Sequence, residues 1–115
     1  MRRGDIRLVD LEPVLGAEAS KRRPCLVVSN DTANATAERL RRGVITIVPL
    51  TSSTERVYSF QVLLPAAATG LPLDSKAQAE QVRAVAVERI GEHLGRVGPA
   101  QMRQVDEALR LHLDL

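Results

Sequence analysis

Three adjacent cations run directly into an apolar segment near the start of the chain. Lys21, Arg22 and Arg23 precede Pro24, and residues 25–28 are all apolar. Proline restricts the residue before it to extended conformations, so Arg23 is expected at the first residue of a strand. An unbroken apolar run is typical of a strand covered on both faces. The pattern therefore predicts a guanidinium held at the end of rigid structure, where its planar fork suits a phosphate. A solvated basic loop is the alternative.

The composition limits the kinds of protein that this chain can be. Its 115 residues suit a single domain spanning residues 1–115, and 44% hydrophobic with 26% charged residues is typical of a globular protein. A net charge of +2 permits an anionic partner without requiring one. With one Tyr, one Phe and no Trp, aromatic stacking cannot be the main source of affinity for a nucleic acid. Any such contact must rely on Arg and Lys.

Cysteine and histidine content argues against a metal site. The single cysteine, Cys25, excludes a disulfide framework and a zinc site with several cysteines, and His93 and His112 lie far from it in sequence. We therefore expect no metal and no cofactor. No apolar run approaches about 18 residues, and the N-terminus lacks the apolar stretch of a signal peptide. The sequence predicts a soluble, cytoplasmic protein with no membrane segment.

The middle of the chain alternates between a helical pattern and strands. A short helix is expected after Asn30 or Asp31 as its cap, with Gly43 as its stop. The β-branched residues 44–48 predict a strand that closes on Pro49, and the hydroxyl of Thr51 emerges where this strand ends.

Two further strands are expected later in the chain. Residues 57–64 alternate so that Tyr58 and Phe60 share one face. A later stretch places Gln81 and Arg83 on the same face of another strand. They are either a functional pair or polar residues that keep an exposed edge strand soluble.

The C-terminus has the pattern of an amphipathic helix. It opens at Gly98 and Pro99, and its apolar stripe comprises Met102, Val105, Leu109 and either His112 or Leu113. Many short strands with one C-terminal helix predict a mainly β, α+β protein. Its small, strongly curved antiparallel sheet is expected to form a partly closed barrel.

Several short motifs, in their order and spacing, resemble those of the MazF/PemK family of toxin endoribonucleases. They are Arg3-Gly4-Asp5-Ile6, Val9-Asp10-Leu11, the segment from Lys21 to Asp31, the segment from Thr46 to Ser52, Ala79-Glu80-Gln81-Val82-Arg83 and Val105-Asp106-Glu107-Ala108-Leu109. The resemblance covers nearly the whole chain. It implies a CcdB/PemK-like, partly open SH3-like barrel and a homodimer.

The same resemblance implies an activity and two partners. The activity is metal-independent, sequence-specific cleavage of single-stranded RNA to a 2′,3′-cyclic phosphate and a 5′-hydroxyl, which arrests translation and growth. The partners are the RNA substrate and a cognate MazE-like antitoxin, whose acidic C-terminal segment occupies the RNA groove.

Site residues are carried over from the family motif by motif. The catalytic positions fall on Arg23 and Thr51. The positions expected to line the RNA groove are Arg3, Glu18, Lys21, Arg22, Ser52, Glu80, Gln81 and Arg83. Ala17 stands where many members carry a serine, so this chain lacks any contact that the serine hydroxyl makes.

The two catalytic candidates suit transesterification at phosphorus. Arg23 can bind two phosphoryl oxygens at once, and Thr51 can orient the phosphate through its hydroxyl. Since arginine is essentially always protonated, Arg23 is better suited to stabilising charge than to acting as a general base. Two alternatives remain: a non-enzymatic, gyrase-directed toxin of the same fold, and a barrel-type interaction module.

Overall fold

Seven strands and three helices make up the protein in a computed structural model that describes residues 1–115. The strands are β1 (Asp5–Asp10), β2 (Arg22–Val27), β3 (Val44–Thr51), β4 (Gln61–Leu64), β5 (Ser75–Gln78), β6 (Arg83–Ala86) and β7 (Ile90–Arg96). The helices are α1 (Asp31–Leu40), α2 (Ala66–Thr69) and α3 (Pro99–Leu113). Single 3-10 turns at Ala79–Gln81 and Val87–Arg89 flank β6.

The sheet is antiparallel and open. Its order is β4-β5-β3-β2-β1-β7, and β6 pairs with the first half of β3 while β5 pairs with the end of β3. The two outermost strands, β4 and β7, do not pair with each other. The predicted fold class, a mainly β, curved and partly open antiparallel sheet with a C-terminal helix, is confirmed. No helix combines the length and the apolar character needed to cross a membrane.

Two hydrophobic clusters cover the opposite faces of the sheet. Leu26 belongs to the cluster beneath α3, whereas its neighbours Cys25 and Val27 belong to the cluster on the other face, and all three are fully buried. This two-sided burial explains the unbroken apolar run in β2, because successive side chains of a strand point to opposite faces. The ends of β2 and β3 are thereby attached to a well-packed core.

The first helix forms as the sequence predicts at its start but not at its end. The Asn30 side chain accepts a hydrogen bond from Ala33 N at 2.8 Å, so Asn30 is the N-cap. The helix ends at Arg41, which adopts a left-handed conformation with φ of 50°, two residues before the predicted stop at Gly43.

Two of the predicted strands are wrong in extent. Residues 57–60 form a turn, because Gln61 N donates to Tyr58 O and the Gln61 side chain accepts from Tyr58 N. Only Gln61–Leu64 is a strand. Gln81 lies in a 3-10 turn and Arg83 begins β6, so the two do not share one face of a strand.

The C-terminal helix buries a shorter stripe than predicted. Met102, Val105 and Ala108 are buried against the sheet, and Leu109 is half-buried. His112 and Leu113 are both exposed, because the helix extends beyond the edge of the cluster that it covers.

Candidate functional site

A cavity of about 330 Å³ opens where β2 begins and β3 ends. The segment that leads into β5 forms its other wall. The residues that line the cavity are Lys21, Arg22, Arg23, Pro24, Leu50, Thr51, Ser52, Leu71, Pro72, Leu73 and Ser75. Five of the ten predicted site residues are therefore brought together here, including both catalytic candidates.

The strand register aligns Arg23 with Thr51. Cys25 pairs with Pro49 in the antiparallel ladder between β2 and β3. This is the last pair of the ladder, and the same register continued for two residues beyond it leads to Arg23 on β2 and Thr51 on β3, which both line the cavity. Residues that lie opposite each other in such a ladder direct their side chains to the same face. The start of β2 and the end of β3 thus bring a guanidinium and a hydroxyl to the same cavity.

The Arg23 side chain is oriented by the chain around it. Pro24 forms part of β2 and pairs with Leu8 of β1, and Arg23 Nε donates to Ser20 O at 2.9 Å. Arg23 is half-buried and forms no ion pair with a carboxylate. Since one guanidinium nitrogen is fixed by the backbone, the two terminal nitrogens are left to bind two oxygens of one anion, such as a phosphate.

Lys21 and Arg22 add charge to the same wall of the cavity. Both are exposed, and neither forms an ion pair. Lys21 adopts a left-handed backbone conformation with φ of 67°, and its N–H donates to Glu12 Oε1 at 2.7 Å. Three adjacent cations without carboxylate partners make this wall suited to a polyanion.

Thr51 and Ser52 lie at the end of β3. Thr51 Oγ1 accepts a hydrogen bond from Ser53 N at 3.2 Å, which orients the hydroxyl at the start of the turn. Thr51 is half-buried and Ser52 is exposed. The Thr51 hydroxyl keeps its own hydrogen to donate, so it can bind a phosphoryl oxygen.

Cys25 and the two histidines take no part in this cavity. Burial raises the pKa of the Cys25 thiol to about 12, although the charges of Arg23 and Arg83 act in the opposite direction. A thiol with such a pKa is not a nucleophile at neutral pH. His93 is exposed near Asp5, and His112 is exposed on α3.

The loop between β1 and β2 contains Glu18 and is contacted by Gln81 from the 3-10 turn that precedes β6. Gln81 Oε1 accepts from Ala19 N at 3.0 Å, and Gln81 Nε2 donates to Ala17 O at 3.1 Å. Glu18 is exposed, and its Oε1 accepts from Leu15 N within the loop. Gln81 therefore clamps the loop that leads to the cationic wall, although it does not line the cavity itself.

Arg83, Glu80 and Arg3 lie outside the cavity. Arg83 Nη1 is 3.5 Å from Leu11 O. Its positive charge, like that of Arg23, acts to lower the pKa of the Cys25 thiol against the larger effect of burial. Glu80 Oε2 accepts from Gln61 Nε2 at 2.7 Å, so this carboxylate points toward β4. Arg3 is held by Asp106 at 2.6 Å and by Val28 O at 2.8 Å. The guanidinium of Arg3 fixes α3 to the sheet rather than facing the cavity.

The cavity also contains residues that the sequence analysis missed. Leu71, Pro72 and Leu73 form its apolar wall, and Leu73 is 62% exposed. The available signal was the short apolar segment Leu71-Pro72-Leu73, but its proline makes it equally typical of a turn. Lys76 pairs directly with Thr51 across β3 and β5 and is buried. Its position depends on a strand pairing that the sequence alone does not reveal.

Comparisons with known proteins point in one direction. The family model described as "PemK-like, MazF-like toxin of type II toxin-antitoxin system" matches residues 2–113. Endoribonuclease MazF9 of Mycobacterium tuberculosis is 62% identical over 115 residues, covering 100% of this chain and 98% of that protein. Endoribonuclease EndoA of Bacillus subtilis is 31% identical over 116 residues, covering 100% and 96%. A solved structure described as an endoribonuclease in complex with its cognate antitoxin from Mycobacterial species has a TM-score of 0.77 at 26% identity, covering 100% and 96%.

Proposed function

We infer that this chain, which belongs to the PemK-like, MazF-like family of toxins of type II toxin-antitoxin systems, is an endoribonuclease that cleaves single-stranded RNA. The observation that carries the proposal is the shared cavity of Arg23 and Thr51, lined on one side by unpaired cations. The endoribonuclease at 62% identity supports the same activity. We propose that this chain acts in the cytoplasm on messenger RNA, with ribosomal RNA and transfer RNA as alternative substrates, and that residues 1–115 work as one domain.

The reaction that fits these side chains is transesterification within the RNA. The 2′-oxygen attacks its own phosphorus and loses a proton, the bond from phosphorus to the 5′-oxygen breaks, and that oxygen takes up a proton. The products are a 2′,3′-cyclic phosphate and a 5′-hydroxyl. Neither a metal nor a cofactor enters this balance of bonds and protons, so we propose a metal-independent reaction.

Arg23 and Thr51 have different tasks in this reaction. The two terminal nitrogens of Arg23 bind phosphoryl oxygens whose charge grows as the fifth bond to phosphorus forms. Thr51 donates its hydroxyl hydrogen to the phosphate and holds the phosphate at the end of β3. A permanently charged guanidinium works by electrostatic stabilisation, which contributes most to such a transition state.

The remaining predicted residues bind RNA at different distances from the cleaved bond. Lys21, Arg22 and Ser52 line the cavity and contact neighbouring phosphates. Glu18, Gln81 and Arg83 act beside the loop that precedes β2, where Gln81 holds that loop. Glu80 acts from the side that faces β4, where its carboxylate accepts from Gln61. Arg3 is the one residue for which a different role is better supported, because its guanidinium already binds Asp106.

Two protein partners complete the proposal. An antitoxin with an acidic C-terminal segment binds the cationic wall, as supported by the related endoribonuclease that was solved with its cognate antitoxin. A second copy of the chain forms a homodimer. The exposed Leu63 and Leu111, which line one groove between β4 and α3, supply apolar surface for such contacts.

Incubation of the purified protein with a long RNA tests the proposal. Cleavage should proceed in EDTA and leave fragments with 5′-hydroxyl ends, which accept a labelled phosphate from a kinase without prior dephosphorylation. The Arg23→Ala variant, purified identically, controls for contaminating nucleases. A gyrase-directed toxin or an interaction module leaves the RNA intact under all conditions, and cleavage only with added Mg²⁺ contradicts the metal-independent reaction.

A further inference from the structure

The only Tyr and the only Phe of the chain stack on each other in the turn that precedes β4. Tyr58 and Phe60 have ring centroids 5.4 Å apart and planes inclined by 5°. Tyr58 is nonetheless 45% exposed. A parallel pair of rings with accessible surface at the edge of a binding site is a surface on which a planar ligand can stack.

Two cations without carboxylate partners lie near the Tyr58 ring. The Arg56 guanidinium carbon lies 5.8 Å from the Tyr58 centroid, and Arg56 Nη1 is 3.1 Å from Tyr58 Oη. Lys76 Nζ lies 5.9 Å from the same centroid and donates to Arg56 O at 2.6 Å. Neither cation forms an ion pair. The ligand expected here combines a flat π-face with a negative charge beside it.

The turn that carries the rings is held in place from two sides. Gln61 Oε1 accepts from Tyr58 N at 3.1 Å, while Gln61 Nε2 donates to Glu80 Oε2 at 2.7 Å. Gln61 is only 8% exposed, so this link is well shielded from water. On the other side, Lys76 holds the backbone of Arg56. The rings are therefore positioned by the sheet before any ligand binds, which lowers the entropic cost of stacking.

Lys76 also connects the ring pair with the candidate site. It pairs with Thr51 in the ladder between β3 and β5, and its amine reaches the Tyr58 ring. The rings precede β4, and β5, which carries Lys76, is the one strand between β4 and the strand that ends at Thr51. Adjacent nucleotides of a single strand can span such a separation, with one phosphate at Thr51 and a neighbouring base at the rings.

We propose that Tyr58 and Phe60, with Arg56, form a stacking subsite for one unpaired base of the RNA next to the cleaved phosphate. The base extends the ring stack or enters between the Arg56 guanidinium and the Tyr58 ring, and the charges of Arg56 and Lys76 attract the adjacent phosphate. This inference rests on the proposed function. It adds one base-recognition contact and leaves the cationic wall as the main source of affinity.

The test begins with a cleavage site mapped on a long RNA by the wild-type protein. A fluorescently labelled 2′-O-methyl oligonucleotide of that site, which cannot be cleaved, then serves as the probe for binding by anisotropy. Tyr58→Ala should raise its Kd roughly five- to 150-fold, the range measured for loss of one base stack. Tyr58→Phe should bind within about twofold of wild type, because the ring remains. Val57→Ala, an exposed neighbour without a ring, is the matched control and should also leave Kd unchanged.

Probes with one abasic position identify the base. At a single position near the cleavage site, removal of the base should make wild type and Tyr58→Ala bind equally, while other positions preserve the difference. Because the chain has one Tyr and no Trp, 3-fluorotyrosine labelling gives a single ¹⁹F resonance that reports on Tyr58 alone. This resonance should shift with the complete probe and not with the probe that lacks this base, a result independent of how any variant folds.

Three other results would contradict the inference, and each would have a different meaning for the proposed function. If wild type cleaves RNA but Tyr58→Ala binds the probe normally, the stacking subsite is wrong and the proposed function stands. If wild type neither cleaves nor binds single-stranded RNA, both are wrong. If Tyr58→Ala weakens binding of the antitoxin alone, the rings belong to a peptide site instead.

Discussion

Arg23 donates its Nε hydrogen to the carbonyl oxygen of Ser20 at 2.9 Å, so the guanidinium is fixed by the backbone three residues before it. This bond leaves the terminal nitrogens free and sets the plane of the fork. A lysine at the same position cannot reproduce it, because an ammonium is a point charge on a flexible stem.

Arg23→Lys should therefore retain the fold and most of the RNA affinity but lose cleavage by roughly two to three orders of magnitude, as for the loss of one oriented donor to a transition state. Cleavage rates on long RNA and binding of an uncleavable 2′-O-methyl RNA measure the two effects separately. The same exchange at Arg22, which is exposed, is the control and should change the rate far less. Normal cleavage by Arg23→Lys would contradict the proposal that the two terminal nitrogens of the Arg23 guanidinium stabilise the transition state.

Thr51→Val should lower turnover while the protein keeps its melting temperature within a few degrees. The only hydrogen bond lost is the exposed one from Ser53 N, which contributes on the order of 1 kcal/mol. Thr51→Ser keeps the hydroxyl and should retain most of the activity. A large fall in melting temperature for Thr51→Val, measured by circular dichroism, would instead make the hydroxyl a structural group.

The parts of the structure that could be predicted depend on local rules. Pro24 requires an extended Arg23, Asn30 caps the next helix, and Thr51 follows a β-branched run. These rules placed both catalytic candidates at strand ends. The shared cavity follows once β2 and β3 are paired.

The parts that could not be predicted depend on contacts between distant residues. Tyr58 and Phe60 alternate like strand residues, yet the side chain of Gln61 turns the backbone at Tyr58. Arg3 was expected in the RNA groove, and its partner Asp106 lies 103 residues away. Gln81 bonds to Ala19 across 62 residues. Periodicity within a segment carries no information on such partners.

Gln81→Ala should loosen the loop before β2 without unfolding the protein. Both hydrogen bonds from this side chain hold loop backbone, so their loss should raise the hydrogen exchange rate at Ala19 N and lower the rate of RNA cleavage. Gln104→Ala, which removes an exposed amide from α3, is the matched control. Faster hydrogen exchange throughout the core, rather than in the loop, would indicate general destabilisation and contradict the proposal that Gln81 holds this loop.

Asp5 should make the stability of the fold dependent on acid pH. Burial alone raises the pKa of this carboxyl, but the Arg2 N–H and the Arg96 guanidinium outweigh it and hold the pKa below its ordinary value of 3.8. A pKa that is lower in the folded state stabilises the protein above the unfolded value, and this contribution disappears as pH falls through the folded value.

Urea unfolding of Asp5→Asn at pH 7 and under strongly acidic conditions tests this dependence. The variant should be less stable than wild type at pH 7, and the difference should shrink at acid pH, where wild-type Asp5 is itself protonated. Glu92→Gln removes an exposed carboxylate from the neighbouring strand β7 and should show no such dependence. A difference that is equal at both pH values would assign the effect to packing rather than to charge.

The antitoxin and RNA should compete for the cationic wall formed by Lys21, Arg22 and Arg23. An acidic segment offers carboxylates to the same unpaired donors that bind phosphates, and exposed charge pairs weaken as salt rises. We expect the antitoxin to displace labelled uncleavable RNA in a titration. The Kd of the antitoxin should be higher in 0.5 M than in 0.1 M salt, because the screening length is about 10 Å at 0.1 M and shorter at 0.5 M. Lys21→Glu should weaken both ligands, whereas Arg103→Glu, an exposed change on α3, should weaken neither. Antitoxin and RNA bound together without mutual weakening would show that the two occupy separate surfaces, even if the protein cleaves RNA as proposed.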